Sequence, residues 1–418
     1  MSRVFRSSWT VASLVLLLAG GVTPAYGQSL DSAAGAVAAV DPETPPQLPA
    51  ASIALLPASA ISPLPLPLMK GQQLTVPLNQ RVLSYIELFQ GKLHDFIDTG
   101  MRNGSKYLPM IQKIFAAQGL PPDLAYVPLV ESAFRPEAIS RASAKGVWQF
   151  MKGTALENGL RHDWYIDERS NPEKATVAAA NYLKTLGVTF NGDWQLALAS
   201  YNSGPGRVQK AIKNVGRADF WSLSARPSAL PRETREYVPM ILAAIVIARN
   251  PAQYGFSFES EEGPAFETVR LPRAVELKRV AEWTHTPIET IRALNPELRR
   301  SMTPLKATDY VLNVPAGTSI EIARRMDEAT GDDLLSLTHY TVKSGDTLAA
   351  VARKLHISRA DLAEANDLTL SARLSVGQQL MVPTGVPYVS YAAPAKTAST
   401  TKSTAAPAKK TATTSKKK

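Results

Sequence analysis

The 418-residue sequence contains no cysteine. That excludes disulfide scaffolding, thiol nucleophiles, cysteine-held metals and a lipid-modified N-terminal cysteine. Histidine is scarce, with five residues. No His, Asp or Glu group has metal-ligand spacing, and His339 and His356 read as lone surface residues. Neither a metal nor a cofactor is expected. The apolar run Val11 to Val22 is too short for a membrane span of ~20 residues. Arg3 and Arg6 precede it and Ala25-Tyr26-Gly27 follows, the pattern of a secretory leader over residues 1–27. Cleavage is expected near Gly27, the alternative being an uncleaved anchor.

Acids are missing from the C-terminal end. The net charge is +10, but it is concentrated at the ends. Seven lysines lie between Lys396 and Lys418 with no acid among them. Without these and the two leader arginines the chain is nearly neutral, so a nucleic-acid face on a folded domain is not expected. Residues 386–418 are Ala, Thr, Ser, Pro and Lys, a composition that cannot bury a core and is expected to be disordered. They would serve as a solubilising tail or as a tether to anionic envelope polymers. Residues 28–77, rich in Ala, Pro and Ser, read as an extended linker. An exported chain without cysteine is consistent with a bacterial envelope.

Alternating strand patterns are lacking between 78 and 255, where helical periodicity takes over. Val82, Tyr85, Ile86, Phe89, Leu93 and Phe96 recur at steps of three and four, predicting one helix face. Further helices are predicted over Tyr107–Phe115, closed by Gly119, and after Pro121-Pro122, which suit a first turn. Others cover Ala175–Leu186, Trp194–Tyr201 and Glu233–Ile247, with "SGPG" (Ser203 to Gly206) as a break. Residues 78–256 form one helical domain of a size that a single core supports.

Beyond Gly263 two segments superimpose. "VAEWTHTPIETIRALNPEL" from Val280 matches "VARKLHISRADLAEANDLT" from Val351, with Asn295 on Asn366. Val314-Pro315 and Val382-Pro383 close the two units. Each has a β-like opening, two short helices and a β-like ending, so two small modules are predicted, 266–318 and 338–385. The stretch 316–338 reads as a partly helical connector.

The chemistry points to Glu131. It is the lone acid in "LAYVPLVESAF", at the end of a predicted helix. Apolar surroundings penalise the charged carboxylate and raise its pKa, as an acid that protonates a departing glycosidic oxygen requires. Glycosidases commonly add a second carboxylate, yet Glu137, Asp167 and Glu168 have no equally apolar frame. One acid suffices if the substrate supplies its own nucleophile.

Four motifs accompany it in order: Glu131-Ser132, "GVWQFM" (Gly146 to Met151), "SYNSGPG" (Ser200 to Gly206) and "ETREYVP" (Glu233 to Pro239). Together they resemble the soluble-type lytic transglycosylase domain over about 80 to 250. With the modules, the arrangement is similar to the lytic murein transglycosylases of the D group. "HYTVKSGDTLAAVARKLHISRADLAEANDL…LSVGQQLMVP" (His339 to Pro383) resembles a LysM module. The resemblance implies a mainly α protein: a lysozyme-like helical catalytic domain followed by small βααβ LysM-type modules. Glu131 would act as acid and then base at the bond between N-acetylmuramic acid and N-acetylglucosamine of peptidoglycan strands, giving a 1,6-anhydro ring. Ser132, Gln149 and Asn202 would contact substrate, and Tyr237 would orient Glu131. Gly345, Asp346 and Thr347 would meet glycan in the second module. The first module lacks "SGDTL" and is expected to keep the fold with weak or no sugar binding.

Each residue also has a bland reading. Ser132 could cap its helix, Gln149 and Asn202 could satisfy buried backbone, and Tyr237 could be core. Trp148 reads as core. Gly146, Gly204 and Gly206 read as backbone devices. The chain departs from the family pattern at Ser200 and Ser203, Val147 and Asn171, which bears on substrate tuning more than on the reaction. A hydrolase of lysozyme type and a non-catalytic wall-binding scaffold remain alternatives.

Overall fold

The computed structural model describes residues 73–305, 307–335 and 338–382. The leader, most of the Pro-rich linker and the lysine tail lie outside them.

Helix α1 (Gln80–Gln90) begins at Asn79, whose side chain accepts hydrogen bonds from the Arg81 and Val82 amides. It buries Val82, Tyr85, Ile86 and Phe89. The helix face predicted to continue to Phe96 is instead broken at Gly91. Helix α2 (His94–Ser105) restarts with Ile97 and Met101 inside and Phe96 only half-buried. Its other buried positions, Gly100 and Gly104, are four residues apart on one helix face.

Helix α3 (Leu108–Ala117) closes at Gly119, which has φ +73°. Pro122 to Tyr126 form a single 3₁₀ turn rather than a full helix, leading directly into α4 (Val127–Ser132). Pro128 sits in the first turn of α4, where its missing N–H leaves no bond unmade.

After α5 (Lys152–Glu157) come α6 (Pro172–Thr189) and α7 (Trp194–Ser203). Asn171 caps α6 and Asp193 caps α7, each accepting amide hydrogen bonds. Gly204, at φ +85°, separates α7 from α8 (Pro205–Val215). Short α9 (Phe220–Ser224) precedes α10 (Arg232–Arg249). Helix α10 is the spine of the core, with Val238, Ile241, Leu242, Ala244 and Ile245 at most 1% exposed. Glu236 fastens it to α1 by accepting from Arg81 at 2.9 Å and from the Tyr85 hydroxyl at 3.0 Å. Within residues 73–255 only isolated bridges occur, as at Lys145–Phe150 and His162–Asp167.

Strand β1 (Phe266–Leu271) leads to α11 (Leu277–Trp283), α12 (Ile288–Leu294) and β2 (Tyr310–Pro315). The strands pair antiparallel, Leu271 opposite Tyr310. The expected connector is part of this module. Helices α13 (Ser319–Glu328) and α14 (Gly331–Leu334) follow, and Ile322, Met326 and Leu334 enter its core. The second module repeats the plan with β3 (Thr338–Thr341), α15 (Leu348–Lys354), α16 (Arg359–Ala365) and β4 (Gln379–Val382), the strands again antiparallel.

The residues matched between the repeats do the same work. Asn295 Nδ2 donates to Ile291 O and Asn313 O, and its Oδ1 accepts from the Asn313 amide. Asn366 does the same with Leu362 O, Met381 O and the Met381 amide. Each asparagine ties the second helix of its module to the closing strand. Among the described residues no helix is long and apolar enough to cross a membrane.

Candidate active site

Helix α4 carries Glu131 as the one residue of Val127–Ser132 that is not fully buried. Two consecutive residues after it, Ala133 and Phe134, have φ of +52° and +56°. The Ala133 amide donates to Leu129 O and the Phe134 amide to Pro128 O, a left-handed stop usually made by glycine. This backbone is costly for residues with a Cβ, and α2 holds it in place. Asn103 Nδ2 donates to Ala133 O at 3.1 Å. A Cβ on Gly100 would come within 2.4 Å of Leu129, and one on Gly104 within 2.7 Å of the Phe134 ring. The two glycines let α2 approach the glutamate-bearing segment closely.

Tyr237, 1% exposed, donates its hydroxyl to Glu131 Oε1 at 2.6 Å. Although Glu131 keeps an exposed edge, burial of its carboxyl dominates and pushes the pKa up to about 7. The Tyr237 bond pulls it down and the charge of exposed Glu233 adds to the rise. Among the described residues no second carboxylate shares Glu131's hydrogen bonds. One turn earlier on α10, Thr234 Oγ1 donates to Asn202 Oδ1 at 2.7 Å. Thr234 and Tyr237, three residues apart on one helix face, thus orient Asn202 and Glu131. The Asn202 Nδ2 is left as a donor with no partner among the described residues, and the side chain is part-exposed.

Two expected substrate contacts have their donors engaged within the protein. Ser132 is 1% exposed and donates to Val147 O at 2.8 Å, so its hydroxyl ties α4 to the 143–150 loop and does not face a sugar. Gln149 has φ +49° and donates Nε2 to Ala138 O and Gly146 O, so its amide nitrogen staples that loop to itself. Ser132 takes the bland reading, whereas Gln149 Oε1 is enclosed with no hydrogen-bond partner among the described residues. Trp148 is core, as expected: it stacks on Phe115 and donates to Thr176 Oγ1 at 2.9 Å.

Several site residues were missed in the sequence. Tyr201 lies within "SYNSGPG"; its hydroxyl donates to Trp148 O at 2.8 Å, and burial, with the charge of Glu131 after it, raises its pKa. Arg169 grips Asp167 with two 2.9 Å bonds and donates to Ser143 O and Phe150 O, pinning the loop from outside. Burial alone would raise the Asp167 pKa, but Arg169 and Lys145 hold it at about 2. Burial pushes Lys145 down despite that partner, so the anchor is the bidentate arginine. No spacing rule joins Asp167 and Arg169 to a loop twenty residues upstream. A cavity of about 460 Å³ lies elsewhere, lined by Leu74, Trp194, Asp219 and others, and none of the candidate residues borders it.

In the second module Asp346 Oδ2 accepts from the Lys343 amide and the Tyr340 hydroxyl, and Thr347 caps α15. These side chains are engaged in shaping the loop. Exposed Gly345, at φ +83°, leaves backbone as the accessible surface.

Comparison with known proteins now defines the class. The family model described as the Transglycosylase SLT domain matches residues 109–224, which include Glu131 and Asn202. The Lytic transglycosylase MltD, LysM-like domain, matches 265–329, and the LysM domain matches 340–383. The molecule is therefore a lytic transglycosylase domain followed by two modules of LysM type. The chain is 34% identical over 325 residues to membrane-bound lytic murein transglycosylase D of Escherichia coli K12, covering 74% of this chain and 70% of that one. It is 37% identical over 150 residues to peptidoglycan transglycosylase gp16 of phage T7, covering 35% and 11%. The chain belongs to the lytic murein transglycosylase family, in the group with the D enzyme.

Proposed function

We propose that this lytic transglycosylase acts on peptidoglycan, cleaving the β-1,4 bond between N-acetylmuramic acid and N-acetylglucosamine with Glu131 as its only acid and base. The observation that carries this reading is the 2.6 Å Tyr237–Glu131 hydrogen bond on a carboxyl whose pKa stands at about 7. At mildly acidic to neutral pH a substantial fraction of Glu131 carries the proton that the glycosidic oxygen needs. Bond cleavage leaves positive charge at the muramic C1 and a carboxylate at Glu131. The carboxylate then removes the proton of the muramic C6 hydroxyl, whose oxygen attacks C1 and closes the 1,6-anhydro ring. The proton given to the leaving sugar is replaced by the one taken from C6, and no water is consumed.

Tyr237 stabilises the carboxylate between the two proton transfers, because its hydrogen bond strengthens as charge develops on Glu131. Asn202 Nδ2, with no partner among the described residues, would hold an acetamide or hydroxyl of the substrate. The second module holds glycan and raises the local concentration of strands at the enzyme. The enzyme acts outside the cytoplasm, in the cell envelope, after export.

The experiment is digestion of purified sacculi with mass spectrometry of the products. Wild type is expected to release muropeptides one water lighter than reducing-end products, and Glu131→Gln to release none. Reducing ends from the wild type would mean a hydrolase, and equal activity of the two proteins would remove Glu131 from the mechanism.

A further inference from the structure

The two modules differ in one loop. From Asn295 to Asn313 the chain takes 18 residues, whereas Asn366 to Met381 takes 15. In the first module this longer loop is closed against the segment that precedes α11. The Leu277 amide donates to Ser301 O at 2.8 Å, the Thr303 amide to Val275 O at 3.0 Å, and the Val275 amide to Thr303 Oγ1 at 3.0 Å. Glu276 and Met302 form an antiparallel bridge. The segment so closed, "RAVE" (Arg273 to Glu276), aligns with Ser344 to Thr347 of the second module.

The outer edge of the same loop is joined to the catalytic domain. Ile166 and Leu298 form an antiparallel bridge. The Asp167 amide donates to Glu297 O at 2.8 Å and the Arg299 amide to Tyr165 O at 2.8 Å. The Arg299 guanidinium donates to Asp163 O. Ile166, 1% exposed, packs within the module's own core. Arg300 lies 3.9 Å over the Trp164 ring and pairs with Asp361 of the second module at 2.8 Å. Glu297 is at the centre, 3% exposed, its Oε1 accepting from Asn171 Nδ2 at 3.0 Å. Its Oε2 is enclosed with no hydrogen-bond partner among the described residues.

We infer that the first module is a brace for the active-site loop, with Glu297 as its positioning residue, rather than a second grip on glycan. The contacts form a continuous chain. Glu297 holds Asp167 through the backbone and Asn171 through its carboxyl. Asp167 locks Arg169, and Arg169 holds Ser143 O and Phe150 O. The loop so held presents Val147 O to Ser132, the residue after Glu131, and Trp148 O to Tyr201, which feels the charge of Glu131. Small displacements at such a centre cost large factors in rate.

The activity part of this inference rests on the Glu131 reading; the loop-order part does not. In the full-length protein, Glu297→Ala strands the buried Asn171 amide, while Glu297→Gln keeps its acceptor. Glu297→Ala is expected to lower kcat on glycan strands roughly tenfold with KM changed less than about twofold. Glu297→Gln is expected to restore kcat to within about threefold of wild type. Hydrogen exchange of the Lys145 and Phe150 amides, read without substrate, is expected to quicken in Glu297→Ala and to return toward wild type in Glu297→Gln. If Glu297→Ala does not fold, Arg299→Ala carries the same two measurements. A rise in KM with kcat unchanged would make the module a glycan grip. Unchanged exchange at Lys145 and Phe150 in a folded Glu297→Ala variant would remove Glu297 as the positioning residue of the loop, whatever becomes of Glu131.

Discussion

Gly146 and Arg169 pass so close that a Cβ on Gly146 would stand 1.7 Å from the Arg169 carbonyl oxygen. Gly146 also has φ +84°, a conformation that disfavours side chains. Strain and collision act together, and the collision is with backbone, which cannot swing away. Gly146→Ala is expected to destabilise the protein by more than about 3 kcal/mol and to lose at least a hundredfold in activity. Thermal unfolding and sacculus digestion check both.

Tyr237→Phe removes a hydrogen bond that favours the charged form of Glu131, so the carboxyl pKa should rise above about 7. The alkaline limb of the kcat/KM profile is expected to move to higher pH. The maximal rate is expected to fall because the carboxylate formed midway loses a charge-assisted bond worth about 1.5–3 kcal/mol. A profile that keeps its limb while the rate falls would remove Tyr237 from the tuning of Glu131.

Stability should also depend on Glu131. Its folded pKa of about 7 lies above the usual 4.5, so the native state holds its proton over a range where the unfolded chain has lost it. Stability from this group is complete below pH 4.5 and is lost as pH rises through 7. Glu131→Gln cannot ionise, so it should gain on the wild type by up to about 3 kcal/mol at pH 8 relative to pH 4. Urea unfolding at the two pH values tests the sign; a constant difference would mean that the carboxyl is not desolvated.

Two helical glycines should respond oppositely to alanine. Gly153 in α5 faces open space, so Gly153→Ala should stabilise by about 0.5–1 kcal/mol through helix propensity. Gly104 in α2 faces the Phe134 ring at 2.7 Å, so Gly104→Ala should destabilise by about 1–3 kcal/mol despite the same propensity gain. It should also lower activity, since Phe134 belongs to the turn that ends the Glu131 helix. Paired melting curves separate the two effects.

Helical periodicity, the helix stops at Gly119 and Gly204, the repeat that aligns Asn295 with Asn366, and a lone glutamate in an apolar run were all legible in the residues, because each is a local pattern. The break at Gly91 was not, since apolar spacing ran on past it. Local pattern also could not decide whether Ser132 and Gln149 face a sugar or the protein: both are polar residues beside the site, and only the approach of the 143–150 loop shows where their donors are used. The same holds for the Asp167–Arg169 clamp, the Gly100 and Gly104 contact and the docking of Glu297, whose partners stand 19 to more than 100 residues away. Sequence by itself determined which side chains could do the chemistry, because composition and spacing set chemical type and helix face. The tertiary structure alone decided which donors are left free, because a hydrogen bond already made inside the protein is unavailable to substrate.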